Sequence, residues 1–403
     1  MPATKHALSR SAPDVRAVVA ARRAGLVDLR RGFHMRPELS LEEHETAAAI
    51  AKHLRGIGLE VREGVGGMGV VGLLRGARPG RTLMIRADID ALPVHELNAV
   101  DYASRAPGKM HACGHDGHMA IALTVAEILA DWRDRLAGNV KFVFQPAEER
   151  ACGAEPMVAA GALRDPDVDA AIGLHLWSPL HVGEVAAQPG PFWASADMFT
   201  LRVRGKGGHG AMPQTTVDPI LAAAQIVVAA QTLVSRETSP FDPAVVTFGA
   251  IHGGTASNVV ADEVELRGTL RAFTPAVRDR LVRRLGELAN GVAGALRAEA
   301  ELTRGEGCIA CVNDVAITEL VLRAATATVG KDHISQGDTR LSASDDMAVF
   351  LQAVPGCYFL VGAGNPERGI DAPHHNARFD IAEDALPIGV EIMTRAALEY
   401  LGR

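Results

Sequence analysis

The stretch 83–93, LMIRADIDALP, runs from apolar residues straight into two carboxylates, Asp88 and Asp90, before Pro93 closes it. A buried parallel strand that ends in carboxylates places them where α/β enzymes collect their chemistry. The pattern recurs downstream. The short apolar strand VKFVF (140–144) runs into Gln145-Pro146-Ala147-Glu148-Glu149, and a strand over 168–174 delivers His175 in GLHLW. Adjacent side chains at a strand end diverge, so one glutamate of the pair can ligate a metal while the other faces a bound water.

Between these strands lies the densest cluster of donors, MHACGHDGHMA at 110–120. His111, Cys113, His115 and His118 share it with Asp116, and Gly114 and Gly117 remove the steric bar to a turn that lets thiol and imidazole face one ion. A helix over 119–135 follows, with His115 and His118 close to its start. Any one of these histidines, read alone, is an ordinary core or surface residue. Together the carboxylates, imidazoles and thiol between Asp88 and His175, joined by His374 and His375, hold enough donors for two metal ions with a glutamate left over as base. Two ions can lower the pKa of a shared water and polarise a carbonyl, which suits amide hydrolysis. The mixed S, N and O set favours zinc, nickel, cobalt or manganese over magnesium or calcium.

The 403 residues are 48% hydrophobic and 22% charged, a globular composition with ample core. A net charge of −7 and 4% aromatics argue against nucleic-acid binding, which needs a basic face and stacking platforms. Five cysteines suggest no disulfide framework, so a cytoplasmic, reducing setting is expected, and Cys308 and Cys311 read as strand residues rather than half of a zinc or redox site. The N-terminal residues offer no apolar run of signal-peptide length, and no segment reaches the roughly 18–20 apolar residues of a membrane span.

In chain order, 15–31 has helical apolar spacing, and Ser40 with Glu43 resembles a capping box opening a helix through about Leu54. Segments 61–74 and 82–86 read as strands separated by a glycine-rich turn. From about Gln188 the texture changes to β-α-β-β-α-β, the ferredoxin-like pattern, with GKGGHGAMP as a glycine-rich loop. Beyond Asn313 the α/β texture returns. The expected architecture is an α/β catalytic domain with a mixed, mainly parallel sheet (1–187 and 305–403) and an inserted ferredoxin-like α+β domain (188–304).

RADIDALP, MHACGHDGH, FQPAEE, GLH, GKGGHGAMP, GGTASNVV and HHNARF occur in an order that resembles the peptidase M20 family, and within it the branch of aminoacylases, hippurate hydrolases and auxin-conjugate amidohydrolases. The resemblance spans almost the whole chain. It implies a zinc-exopeptidase-like catalytic domain and an inserted domain that serves as lid and dimerisation surface. It implies a hydrolase that splits N-acyl-amino acids, the small-molecule substrates, into a carboxylic acid and a free amino acid. It also implies two divalent transition-metal ions per subunit, zinc first, held by Cys113, His115, Glu149, His175 and His375. Glu148 becomes the general base, passing a proton from the attacking water to the leaving nitrogen. Asp90 takes the position that orients a ligand. Asp88 stands where relatives outside this branch carry a metal histidine, which leaves its ligation open. His375 is preferred to His374 because it stands four before Phe379, although Ala377 replaces the family's proline. In the inserted domain, His209 matches an oxyanion-stabilising histidine often supplied by the partner of a homodimer, and Asn258 and Arg271 match positions that hold the substrate carboxylate. The runner-up activity is a metallo-carboxypeptidase or dipeptidase acting on unblocked peptides at the same site.

Overall fold

Four parallel strands, Ala137–Gln145, Arg78–Asp88, Ala170–His181 and Gly356–Gly364, form the centre of the larger sheet in the computed structural model, which describes residues 14–402. The reading of the first residues of the chain therefore lies outside the described part. Gly69–Arg75 and Glu60–Val65 extend one side antiparallel, and Val185–Ala186 closes the other. Helices cover both faces, which is why the central strands are apolar almost without interruption. Leu83 and Ile85 point to the face covered by helices Val15–His34, His115–Asp131, Val315–Val329 and Ala385–Leu401. Met84 between them points the other way, toward Met157, Met347 and Phe350.

The inserted unit is a four-stranded antiparallel sheet in the order Ala244–Gly253, Glu263–Ala272, Ser195–Arg204, Glu299–Cys308. Helices Pro219–Ala230 and Pro275–Ala295 pack on one face, with Ile226, Leu281 and Leu285 against Leu201 and Leu266. Each helix opens with an acceptor at the cap and a proline behind it. Asp218 takes the amides of Ile220 and Leu221, and Thr274 takes that of Val277. The fold is thus α/β with a mixed, mainly parallel sheet and a ferredoxin-like insertion. The last small-sheet strand continues to Cys308, past residue 304, and a ribbon of Gly190–Trp193 against Cys311–Asn313 joins the two parts. Cys308 and Cys311 are strand residues, and both thiols donate to the Asp345 carbonyl. No helix among the described residues is long and apolar enough to cross a membrane.

Two local expectations change. The 61–74 segment is a hairpin, turning at Gly66 and Gly67 with φ of +68° and +112°. The capping box at Ser40 and Glu43 does not form. The helix His44–Gly56 has its first amides, those of Glu45 and Thr46, bound by the Glu38 carboxylate instead. Ser40 and Glu43 turn inward to partners far away in the sequence.

Candidate metal centre and active site

The carboxyl-terminal ends of the parallel strands converge on one cleft of about 540 Å³, walled on the opposite side by the inserted domain. Cys113, Glu148, Glu149, His175, Trp177, His374 and His375 line it from the larger domain, and Met198, Thr269, Arg271 and Glu306 from the smaller. Gly114, at φ +92°, makes the turn that sends the chain from Cys113 into the helix beginning at His115. Gly117 has a different role from the one expected of it. It lies inside the helix, where an added Cβ would come within 2.4 Å of Leu176 Cδ1, so the helix can sit against the strand only without a side chain there.

Potential ligand atoms of Cys113, His115 and His175 all lie within 4.8 Å of one another, and so do those of Cys113, Glu149 and His375. The imidazoles are oriented from behind. His115 Nδ1 donates to the Asp90 carbonyl at 2.9 Å and His175 Nδ1 to the Leu176 carbonyl at 2.8 Å, so each turns an Nε2 lone pair inward. His115 Nε2 and Glu149 Oε1 are buried and have no hydrogen-bond partner among the described residues. Such orphaned acceptors facing a thiol are costly unless a cation joins them, and the donor set fits a transition metal. The electrostatics point the same way. Burial opposes a charge on His115, yet Asp88 and Asp90 override it and carry its pKa up to about 10, so the surrounding carboxylates favour a positive charge at Nε2, whether a proton or a metal ion that displaces it. Burial, with Glu149 and Glu148, pushes the Cys113 thiol well up. A dication would reverse this by favouring the thiolate.

Asp88 is differently employed. One oxygen accepts from His118 Nδ1 at 2.6 Å and the other from Arg86 at 2.6 Å. His118 Nε2 in turn accepts the Leu176 amide at 2.9 Å, so His118 braces the site rather than facing the cleft. His374 Nε2 accepts the Ser178 amide at 3.2 Å, its Nδ1 lies 3.8 Å from Cys113 Sγ, and the ring stacks on Trp177. His375 Nε2 stands 3.4 Å from Glu149 Oε2, with its backbone at φ +66°.

Glu148 sits in a tight turn bracketed by two left-handed alanines, Ala147 at φ +53° and Ala151 at φ +48°. Each such non-glycine residue costs roughly 1–2 kcal/mol and must be held in place by its surroundings. Burial, then Asp345, Glu149 and Asp346, raise the Glu148 carboxyl well above the usual carboxylate range. Asp345 and Asp346 are buried against the Arg86 guanidinium at 3.0 and 3.3 Å, and Asp346 also accepts the amides of Gly153 and Ala154. These two aspartates, Ser40, Glu43, and Trp177 and Trp193 on the cleft wall are site components that the motif reading did not assign. For the aspartates the signal in the sequence is the pair of acids in SASDDMAVF.

Arg271 reaches the cleft from the inserted domain, half-buried, with Nη1 donating to the Ser342 carbonyl at 2.7 Å. Burial lowers its pKa, and no carboxylate among the described residues counters that effect. His209 and Asn258 lie elsewhere, exposed and side by side where Gly208–His209 pairs with Val259–Val260, outside the cleft wall.

Residues 84–399 match the model of peptidase family M20/M25/M40. The chain belongs to this family. It is 36% identical to thermostable carboxypeptidase 2 of Saccharolobus solfataricus over 93% of this chain and 95% of that protein. It is 38% identical to N-acetyl-L-cysteine deacetylase of Bacillus subtilis over 90% and 84%. Among solved structures, the Bacillus subtilis YXEP protein, described as a dinuclear metal binding peptidase of the M20 family, superposes with a TM-score of 0.81 at 31% identity, over 95% of this chain and 99% of that one. The present chain is accordingly an M20-family metallo-amidohydrolase.

Proposed function

We propose that this M20-family enzyme cleaves the amide bond of N-acyl-amino acids, acetyl, benzoyl or longer, releasing a carboxylic acid and a free amino acid. The observation that carries this reading is the pairing, across one cleft, of the buried donor set with an arginine that has no acidic partner among the described residues. A guanidinium that bonds a backbone carbonyl but no carboxylate keeps donors for a substrate with a free carboxylate. A pair of divalent transition-metal ions, zinc first and manganese, cobalt or nickel after it, supplies Lewis-acid polarisation of the scissile carbonyl when bound. Cys113, His115, Glu149, His175 and His375 hold the ions, and Asp90 keeps the His115 ring in its inward orientation. Glu148 removes a proton from the attacking water and returns it to the leaving nitrogen. Arg271 holds the substrate carboxylate from its own cleft wall, and Asn258, which lies beside His209 outside that wall, joins it from the partner of a homodimer. His209 donates to the developing oxyanion from the partner of a homodimer, which accounts for its exposure outside its own cleft. The inserted and flanking parts form the lid and catalytic domains, and the five free thiols suit a cytoplasmic setting.

A second reading, hydrolysis of unblocked short peptides, is supported by the similarity to a carboxypeptidase. Zinc- or manganese-loaded enzyme assayed on N-acetyl and N-benzoyl amino acids beside matched free dipeptides separates the two. Glu148→Gln is expected to lower kcat by roughly 10²–10⁴-fold on the preferred class. Near-normal turnover in that variant overturns the mechanism.

A further inference from the structure

We propose that Glu43 is a positioning residue for the general base: its buried carboxylate fixes the left-handed turn on which Glu148 stands. The inference rests on the assignment of Glu148 above. Glu43 lies 104 positions before Ala147 in the chain, yet its Oε1 accepts the Ala147 amide at 2.8 Å. Ala147 is fully buried at φ +53°, and its amide is the last donor before the Glu148 backbone. The amide on the other side of Glu148, that of Glu149, donates to Asp90 Oδ2 at 3.1 Å. That same oxygen is held by Ser40 Oγ at 2.7 Å. Ser40 and Glu43 stand on one short strap, itself fixed by the bond from the Ala91 amide to the Glu38 carbonyl at 2.8 Å. One segment therefore fixes both amides that flank the base.

A helix-capping role does not explain Glu43. Its side chain makes no cap bond, and Glu38 already takes the free amides of that helix. Glu43 Oε2 is buried with no partner among the described residues, a cost that a residue serving only the fold would avoid. The strained turn supplies the reason: a left-handed alanine persists only where its surroundings over-determine it.

The test uses the metal-loaded enzyme and the preferred N-acyl-amino acid. Glu43→Asp shortens the reach by one methylene, whereas Glu43→Gln keeps an accepting oxygen in place. Because small misplacements of a reacting group are costly, Glu43→Asp is expected to lower kcat roughly 10- to 100-fold, with KM within about twofold and metal content unchanged. Glu43→Gln should restore kcat to within about threefold, and Ser40→Ala should show a smaller kcat loss of the same kind. Hydrogen exchange in a peptide covering 145–153 should quicken in Glu43→Asp and not in Glu43→Gln. Unchanged kcat in Glu43→Asp, a loss confined to KM or metal content, or a glutamine variant as impaired as the aspartate overturns the proposal. If Glu43→Asp fails to fold, a fully active Ser40→Ala or an impaired Glu43→Gln overturns it. Glu148→Gln, run in parallel, keeps the two readings apart. Full activity there overturns the base assignment and Glu43 with it, whereas loss there beside an active Glu43→Asp overturns Glu43 alone.

Discussion

At the scale of single residues, the site divides into atoms that face the cleft and atoms that hold others in place. Arg271 belongs to the first group, and its lack of an acidic partner among the described residues makes a specific prediction. Arg271→Met should raise KM for N-acyl-amino acids roughly 10- to 100-fold while kcat changes only a few-fold, because a hydrogen bond to a charged group contributes about 1.5–3 kcal/mol. Steady-state kinetics on the acid and its methyl ester check this. An ester hydrolysed equally well by both enzymes supports the assignment, and an unchanged KM for the acid removes it. Asp88 belongs to the second group. The motif places it at a strand end and leaves its ligation open. Only the three-dimensional packing reveals that Arg86 and His118 occupy both its oxygens.

At the scale of elements, the strand ends were legible because burial on two faces leaves an apolar run that stops abruptly at the chemistry. The 38–43 strap was not. Ser40 and Glu43 have the spacing of a capping box, but the Ser40 hydroxyl donates to Asp90 and the Glu43 carboxylate accepts from Ala147, and no local pattern encodes a partner that distant. A comparable long-range junction joins the end of helix Val15–His34 to the start of helix His115–Asp131. His34 is fully buried, with Nδ1 2.8 Å from Asp116 and Nε2 3.2 Å from Glu96. Burial and Arg30 oppose its charge, but Asp116 and Glu96 prevail and its pKa rises from 6.5 to about 8. A raised folded-state pKa gives stability that is complete below pH 6.5 and is lost as pH climbs through about 8. At roughly 1.4 kcal/mol per unit, this amounts to about 2 kcal/mol at most. Thermal melts of the wild type should therefore fall across that window, and those of His34→Gln should fall less. Parallel curves for the two proteins would exclude the junction as the source.

At the scale of the molecule, the β-α-β-β-α-β order and its place within the chain could be read from the sequence because each element carries its own periodicity and caps. What the inserted domain meets in solution is implied only by the family resemblance, as the partner of a homodimer. Its strand Ala244–Gly253 is a sheet edge, with Ile251 exposed, and Ile220, Leu221 and Val228 lie exposed on helix Pro219–Ala230. Bare edges and apolar helix faces of this kind are suited to isologous pairing. Light scattering should give twice the 42.5 kDa chain mass, and Leu221→Glu with Val228→Lys should yield monomers with sharply reduced kcat. Fully active monomers would remove His209 from the reaction.

The place of the strand Gly356–Gly364 bears on how this protein is made. In space it lies between Ala170–His181 and Val185–Ala186, yet the ribosome delivers it only after the whole insertion has been synthesised. All four strands of the small sheet are synthesised while the catalytic sheet still has an open parallel edge at Ala170–His181. Long-range parallel pairing is slow, and unpaired edges are the sites at which nascent chains stick to one another. Asp345, Asp346, His374 and His375 arrive in that same late portion. Translation thus delivers His375, the last of the proposed metal ligands, only in the segment that follows the strand closing the sheet.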